Sequence, residues 1–359
     1  MGDKPNKALR QIKPSRVVLP IIIGLLVVVY FVVRDYELGM FSVLEFNIGI
    51  VLMFFFAFCM MFIRDFGYIV RIRVLSDKDL SWRQSFNVIM LWEFASAVTP
   101  SAVGGTGVAT YFLWKEGFNV GKSAAIVMAT SFLDELYFTL MFPILFIFFS
   151  KAGLFDIAGG IGASLFYFAV IGYSIKLLWT LLMAFALFVR PEAVKKLIIS
   201  VFKIKFLRKW QEAANKTGND LILASNELKL KPFKFWIKAF VASFFSWTAR
   251  YWVLNFLILA LVFGLPNIEY SSIFSLSEHF LIFARQLVMW IMMLIMPSPG
   301  GSGFVEAIFT NYMSDFIPVA GFVGMMALLW RFVTYYPYLI IGAIIAPRWI
   351  AKKHGKNSK

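Results

Sequence analysis

The chain has 359 residues, of which 60% are hydrophobic, 18% aromatic and only 15% charged. A soluble domain carries about 45–50% apolar residues, so this composition, with a mean hydropathy of +0.77, excludes an ordinary water-soluble protein. The formal net charge of +15 suits nucleic acid or an anionic membrane surface, and its placement between long apolar runs leaves nucleic acid aside.

The N-terminus is basic (Lys4, Lys7, Arg10, Lys13, Arg16) and leads into an apolar run at 17–33. That run exits into Arg34-Asp35-Tyr36-Glu37 with no small-residue cleavage pattern, so it reads as an uncleaved first span. A helix needs roughly 20 apolar residues to cross a bilayer core. Further stretches at 46–63, 123–149, 164–189, 236–263 and 319–346 qualify. The expectation is an all-α polytopic membrane protein with about six transmembrane helices.

Two other apolar regions, near 84–116 and 277–313, are each split by a Pro/Gly cluster. Lys and Arg concentrate at 1–16, 64–83, 190–238 and 347–359, with Lys115 and Lys122 between. Cytoplasmic loops hold this excess, and both termini are then cytoplasmic. The alternation of rich and poor loops works only if each split region returns to the side it left. Both are therefore expected to be re-entrant helical hairpins, the first entering from the cytoplasm and the second from outside.

The first cluster reads Thr99-Pro100-Ser101-Ala102-Val103-Gly104-Gly105-Thr106-Gly107, and the second Pro297-Ser298-Pro299-Gly300-Gly301-Ser302-Gly303. With one gap they are the same motif. Each is preceded by two spans and followed by one, which carries a charge (Asp134 or Arg331) at a similar distance past the last Gly. Inverted repeats of this kind mark transporters. The expected units are 1–189, a linker at 190–235, and 236–359. Within the linker, Val194, Leu197, Ile198, Val201 and Phe202 share a helical face, with Lys195, Lys196, Lys203, Lys205, Arg208 and Lys209 around it. An interfacial helix on anionic headgroups is expected over 194–209; a solvated linker helix is the alternative.

Irregular backbone at membrane depth survives only when buried in protein or lining a polar cavity. The helix N-termini after Gly107 and Gly303 would present donors to an anion such as phosphate. Pro100, Gly104, Gly105, Gly107, Pro297, Pro299, Gly300, Gly301 and Gly303 are thus candidate substrate-binding positions. Charges inside apolar segments cost about 2.5–3.5 kcal/mol each at the bilayer centre on insertion scales, so they should face inward in pairs. Arg250 and Arg331 are candidates to grip phosphate bidentately, and Glu306 is a further substrate-binding candidate; Asp134, Glu135 and Glu306 could neutralise these arginines, contact a cationic headgroup or relay protons. Glu93, Asp134, Glu135 and Arg285 are candidates for charge pairing or proton relay, and Lys176 is expected to snorkel.

Other motifs fail. Gly117-Phe118-Asn119-Val120-Gly121-Lys122-Ser123 lacks the spacing and strand of a phosphate-binding loop. One cysteine, Cys59, and two distant histidines, His279 and His354, give no disulfide framework and no metal-ligand spacing. No metal, cofactor or catalytic triad is expected.

Pro100 through Leu113 followed by Gly117, Pro297 through Ala307, and Trp330-Arg331-Phe332-Val333-Thr334-Tyr335-Tyr336-Pro337 together resemble the lysylphosphatidylglycerol synthase transmembrane family. This is the flippase-like membrane domain of the multiple peptide resistance factor. The first-half run Ser131-Phe132-Leu133-Asp134 departs from it, lacking the Arg that members often carry before the acid. The resemblance implies movement of a phospholipid, anionic or aminoacylated, between leaflets of a bacterial cytoplasmic membrane. It does not imply lysyl transfer, since no soluble synthase domain follows residue 359. Two readings stay open beside it: a lipid-modifying enzyme using acids among Glu93, Asp134, Glu135 and Glu306, and an ion-coupled carrier of a small polar solute.

Overall fold

The computed structural model describes residues 33, 40–98, 101–155, 162–203, 211–266, 275–293 and 304–355. The expected span at 17–33, Pro100 and the second Pro/Gly cluster, 297–303, lie outside these. Five helices among the described residues are long and apolar enough to cross a membrane. They correspond to the remaining sequence-derived spans, and the protein is an all-α, multi-pass membrane protein.

Helix α1 (Ile48–Leu75) starts where the Asn47 side chain accepts from the Ile50 N–H at 3.2 Å, satisfying one of the open donors of the first turn. It runs 12 residues beyond the apolar stretch that predicts it. The expected basic loop at 64–83 is therefore corrected: Arg64 and Arg71 are helical and buried. A hydropathy boundary stops at the first charge, whereas a helix continues when its charges find partners.

The most extensive packing in the fold joins α1 to α9 (Phe233–Phe263). The pair is antiparallel. Asn47 Nδ2 donates to Phe263 O at 2.5 Å at one end, and Lys231 Nζ meets Asp77 at 2.7 Å at the other. Near the middle, Ser246 donates to Arg64 O at 2.9 Å. Gly67 makes this approach possible, since a Cβ there would lie 2.2 Å from Ser246 Oγ and 2.8 Å from Ala242 O.

Helices α2 (Trp82–Val98) and α3 (Ser101–Lys115) form the first hairpin. Its ends meet where Gln84 Nε2 donates to Glu116 Oε2 at 2.8 Å. Gly105 backs directly onto Ser96, with no room for a Cβ. Here the structure corrects the sequence reading. Gly104, Gly105 and Gly107 sit inside α3 rather than ahead of it, so no helix N-terminus follows Gly107. Close packing between hairpin arms explains a helical glycine at Gly105.

Helix α4 (Val120–Phe148) is capped by Asn119, whose side chain accepts from Lys122 N at 2.7 Å. A short α5 (Lys151–Phe155) precedes α6 (Gly162–Ala184), which ends in a π-helical turn over Phe185–Val189. The linker is two helices, α7 (Pro191–Phe202) and α8 (Gln211–Lys229), packed on each other. Helix α8 presses on α4, where Gly121 faces Asp220 and Leu221 without space for a side chain. Lys195 lies over Gly218 and donates to Asn219 at 2.7 Å, while Leu197 and Lys196 remain exposed.

Helices α10 (Leu276–Met293) and α11 (Phe304–Tyr312) pack together. The last apolar stretch, expected as one span, is broken into α12 (Val323–Thr334) and α13 (Tyr336–Gly355). Tyr335 leaves helical geometry at φ −131°, because Pro337 has no N–H for the carbonyl four residues earlier. Helix α13 then lies along α2, with Gly342 against Phe94 and the Tyr335 hydroxyl donating to Ala97 O at 3.0 Å. Outward residues such as Phe62 (72% exposed) and Ile147 (75%) give the bundle an apolar exterior suited to lipid.

Replacing Gly67 by Val should lower thermal stability in detergent by about 1–3 kcal/mol through overpacking between α1 and α9. Gly107→Ala, where a Cβ meets nothing within 4 Å, should not. Unfolding followed by intrinsic tryptophan fluorescence reads both.

Candidate functional site

The α1 face bearing Arg64, Tyr68 and Arg71 points into the bundle. Spacings of four and three residues put the three side chains one above another. The Arg64 and Arg71 guanidinium carbons lie 4.7 and 4.6 Å from the centre of the Tyr68 ring, so a single aromatic ring carries both cations.

Each guanidinium then reaches other elements. Arg64 Nη1 meets its neighbour Asp65 at 2.7 Å, and Nη2 meets Glu93, midway along α2, at 2.6 Å. The Tyr338 hydroxyl of α13 donates to both Asp65 oxygens, at 2.8 and 3.0 Å. Arg71 pairs with Asp134 of α4 through both carboxylate oxygens and donates to Ser243 of α9 at 3.0 Å. Asp134 also accepts from Trp247 Nε1 of α9 at 2.6 Å. Five helices are therefore held by two arginines.

Burial divides these pairs unequally. The side chains of Arg64 and Arg71 are 1% and 4% exposed, whereas Asp65, Glu93 and Asp134 keep 22–23%. Lys176 of α6 repeats the pattern with Glu135 of α4, at 5% against 22% and 2.5 Å apart. The cations are sealed inside and the carboxylates form the accessible edge. Among the described residues, the buried Nε atoms of Arg64 and Arg71 and the Tyr251 hydroxyl have no hydrogen-bond partner, so this interior retains unused donors.

Several expectations change here. Lys176 does not snorkel; it is buried and paired, because Glu135 lies within its reach. Asp134 neutralises Arg71 rather than Arg250 or Arg331. Arg250 is half-buried, its guanidinium 5.7 Å from the Trp247 ring, and makes no ion pair among the described residues. Arg331 is buried over the Tyr335 ring at 4.7 Å. Arg285 of α10 ties α5 to the helical turn after α11: it meets Asp315 at 2.7 Å and donates to Gly153 O at 2.9 Å. Glu306 lies on α11, its side chain outside what is described. The candidate charges thus fall into separate groups, and the richest one centres on α1.

Arg64, Asp65, Tyr68, Arg71, Trp247 and Tyr338 are absent from the sequence-derived site. So is Glu116 at the mouth of the first hairpin, which accepts from Gln84, Trp349 and Lys353 at 2.6–2.8 Å. The signal for the first group was present as an Arg-x-x-x-Tyr-x-x-Arg spacing, hidden by assigning these residues to a loop. Glu116 carries no such pattern.

Tyr68→Leu should cost about 1–4 kcal/mol in thermal unfolding, since each guanidinium loses a desolvated ring contact of roughly 0.5–2 kcal/mol. Tyr68→Phe keeps the ring and should be close to wild type.

The family model of the lysylphosphatidylglycerol synthase TM region matches residues 17–342. A UPF0104 membrane protein of Archaeoglobus fulgidus is 26% identical over 284 residues, covering 77% of this chain and 80% of that protein. No solved structure matches the chain.

Proposed function

The chain belongs to the lysylphosphatidylglycerol synthase TM region family, and from that premise we propose that it is a flippase-like transporter moving a phospholipid between leaflets of a cytoplasmic membrane. The observation that carries this reading is Glu93: a carboxylate halfway along a hairpin whose ends meet at Gln84 and Glu116, paired with a fully buried arginine. Charge at membrane depth is costly and marks substrate or ion pathways.

In this reading α2–α3 and α10–α11 are re-entrant hairpins from opposite sides, and two inverted repeats, each with one of them, rock about a central path. Both termini are cytoplasmic. Helix α7 lies on the cytoplasmic surface, with Lys196 and Lys203 toward anionic headgroups. The headgroup passes the carboxylate edge of Asp65, Glu93 and Asp134, where an aminoacylated headgroup finds counter-charge. Its phosphate meets Arg250 and Arg331, and the Pro/Gly clusters, including Pro100, Gly104, Pro297 and Gly300, admit it between the hairpins. Outward-facing apolar side chains leave the acyl chains in lipid during passage.

Reconstitution into vesicles containing fluorescent phosphatidylglycerol tests the reading through dithionite quenching of the outer leaflet. The protein should speed exposure of inner-leaflet lipid. Arg250→Ala should slow it by about tenfold or more, as expected for loss of one charged hydrogen-bond contact of roughly 1.5–3 kcal/mol. Equal quenching in protein-free vesicles would remove the proposal.

A further inference from the structure

Hydrogen bonding in the bundle interior is left incomplete along one seam. Among the described residues, nine buried side-chain atoms have no hydrogen-bond partner, and three of these are Ser or Thr hydroxyls scattered over α2, α4 and α8. The other six follow one path. They are Asn255 Nδ2 and the Tyr251 hydroxyl on α9, Gln286 Oε1 and Trp290 Nε1 on α10, and the Nε atoms of Arg64 and Arg71 on α1. An unmet polar group at membrane depth is costly, so six along one path mark a place where something polar binds.

Helix geometry orders them. Ser243, Trp247, Tyr251 and Asn255 recur every four residues and form one stripe along α9. Facing it, α10 brings Gln286, whose Nε2 donates to Tyr251 O at 2.8 Å, and Trp290, whose ring lies 5.4 Å from that of Trp247. At one end the partly exposed His279 has its Nδ1 2.9 Å from Asn255 Oδ1. At the other, Trp247 Nε1 donates to Asp134, and Ser243 accepts from Arg71. From Asn255 to Trp247 the stripe covers about 12 Å of helix axis.

The unpartnered atoms select the ligand. Gln286 binds the carbonyl that within α9 accepts from the Asn255 N–H, so the two side-chain amides sit at the same turn. Asn255 Nδ2 is a donor there and Gln286 Oε1 an acceptor, yet they do not bond each other. An anion suits only the first and a cation only the second, whereas water donates and accepts at once. Deeper, the Tyr251 hydroxyl lies within electrostatic reach of Arg64. That hydroxyl can also donate and accept, and Arg64 Nε needs an acceptor. Water meets both demands.

We propose that the α9–α10 seam is a water-binding site, a file of bound waters running from His279 and Asn255 past Tyr251 to Asp134. The first water is held between Asn255 Nδ2 and Gln286 Oε1, and the next by the Tyr251 hydroxyl. The file carries solvent contact from the partly exposed His279 to the Arg71–Asp134 pair.

Pulsed X-ray radiolysis of the full chain in phosphatidylglycerol and phosphatidylethanolamine vesicles tests the site, with oxidised side chains located by mass spectrometry. Hydroxyl radicals formed from a bound water label the side chains that touch it. Tyr251 should be oxidised several-fold faster than Tyr312, which is as deeply buried but has its hydroxyl bonded to Leu154 O. Phe283, whose ring lies 6.0 Å from that of Tyr251, should likewise outpace the equally buried Phe309. Asn255→Leu combined with Gln286→Leu removes both partners of the first water and should bring Phe283 down to the level of Phe309. Tyr251 labelled no faster than Tyr312 in the wild type, as a dry seam requires, overturns the proposal without any variant. Label persisting at Phe283 in the double variant contradicts the bridge. The readout makes no use of lipid movement, so the transporter reading and the water file stand or fall separately.

Discussion

Two guanidiniums stacked on one tyrosine ring, deep in an apolar bundle, impose most of what the structure does. An unpaired charge there would cost several kcal/mol, so Arg64 and Arg71 require carboxylates, and those carboxylates come from different helices. The first hairpin is drawn in through Glu93, α4 through Asp134, and α13 through Tyr338 on Asp65. Helix α9 joins by Ser243 and Trp247, and its close approach to α1 depends on Gly67. Hydrophobic burial gives little direction inside a membrane, where the surroundings are as apolar as the core. Polar contacts and close backbone approach do the specifying.

The same arrangement gives the interior a polarity of its own. In the Arg64, Arg71 and Lys176 pairs the base is sealed and the acid keeps about a fifth of its surface accessible, whereas Glu116 is the buried partner of Lys353. The pairs also differ in how firmly they are held. Asp134 is fixed by a guanidinium and an indole, and Asp65 by a guanidinium and a phenol, while Glu93 has one ionic contact among the described residues.

Much of the architecture was legible in the sequence, since hydropathy alone marks spans at 123–149, 164–189 and 236–263 that match helices α4, α6 and α9 closely. Helices α2 and α3 divide the region that the Pro/Gly cluster marks, although the cluster's glycines lie inside α3. What was not legible shares one cause. Taking a charge as the end of a span cuts α1 at Arg64 and assigns its buried, charged face to a loop. Lys176 was read alone because its partner lies 41 positions away, on another helix. The break at Tyr335 was signalled by Pro337 yet lost within a long apolar run. Partner choice depends on which helix faces meet, and hydropathy carries no information about that.

The most direct test is a double-mutant cycle on Arg71 and Asp134, measured as unfolding of the purified protein in detergent, with Arg71→Met, Asp134→Asn and both together. If buried pairs on α1 organise the bundle, each single change leaves a charge without its partner and costs about 3–5 kcal/mol, and the double change costs clearly less than the two added. Strictly additive losses would contradict the account, since they would mean that the two side chains do not depend on each other.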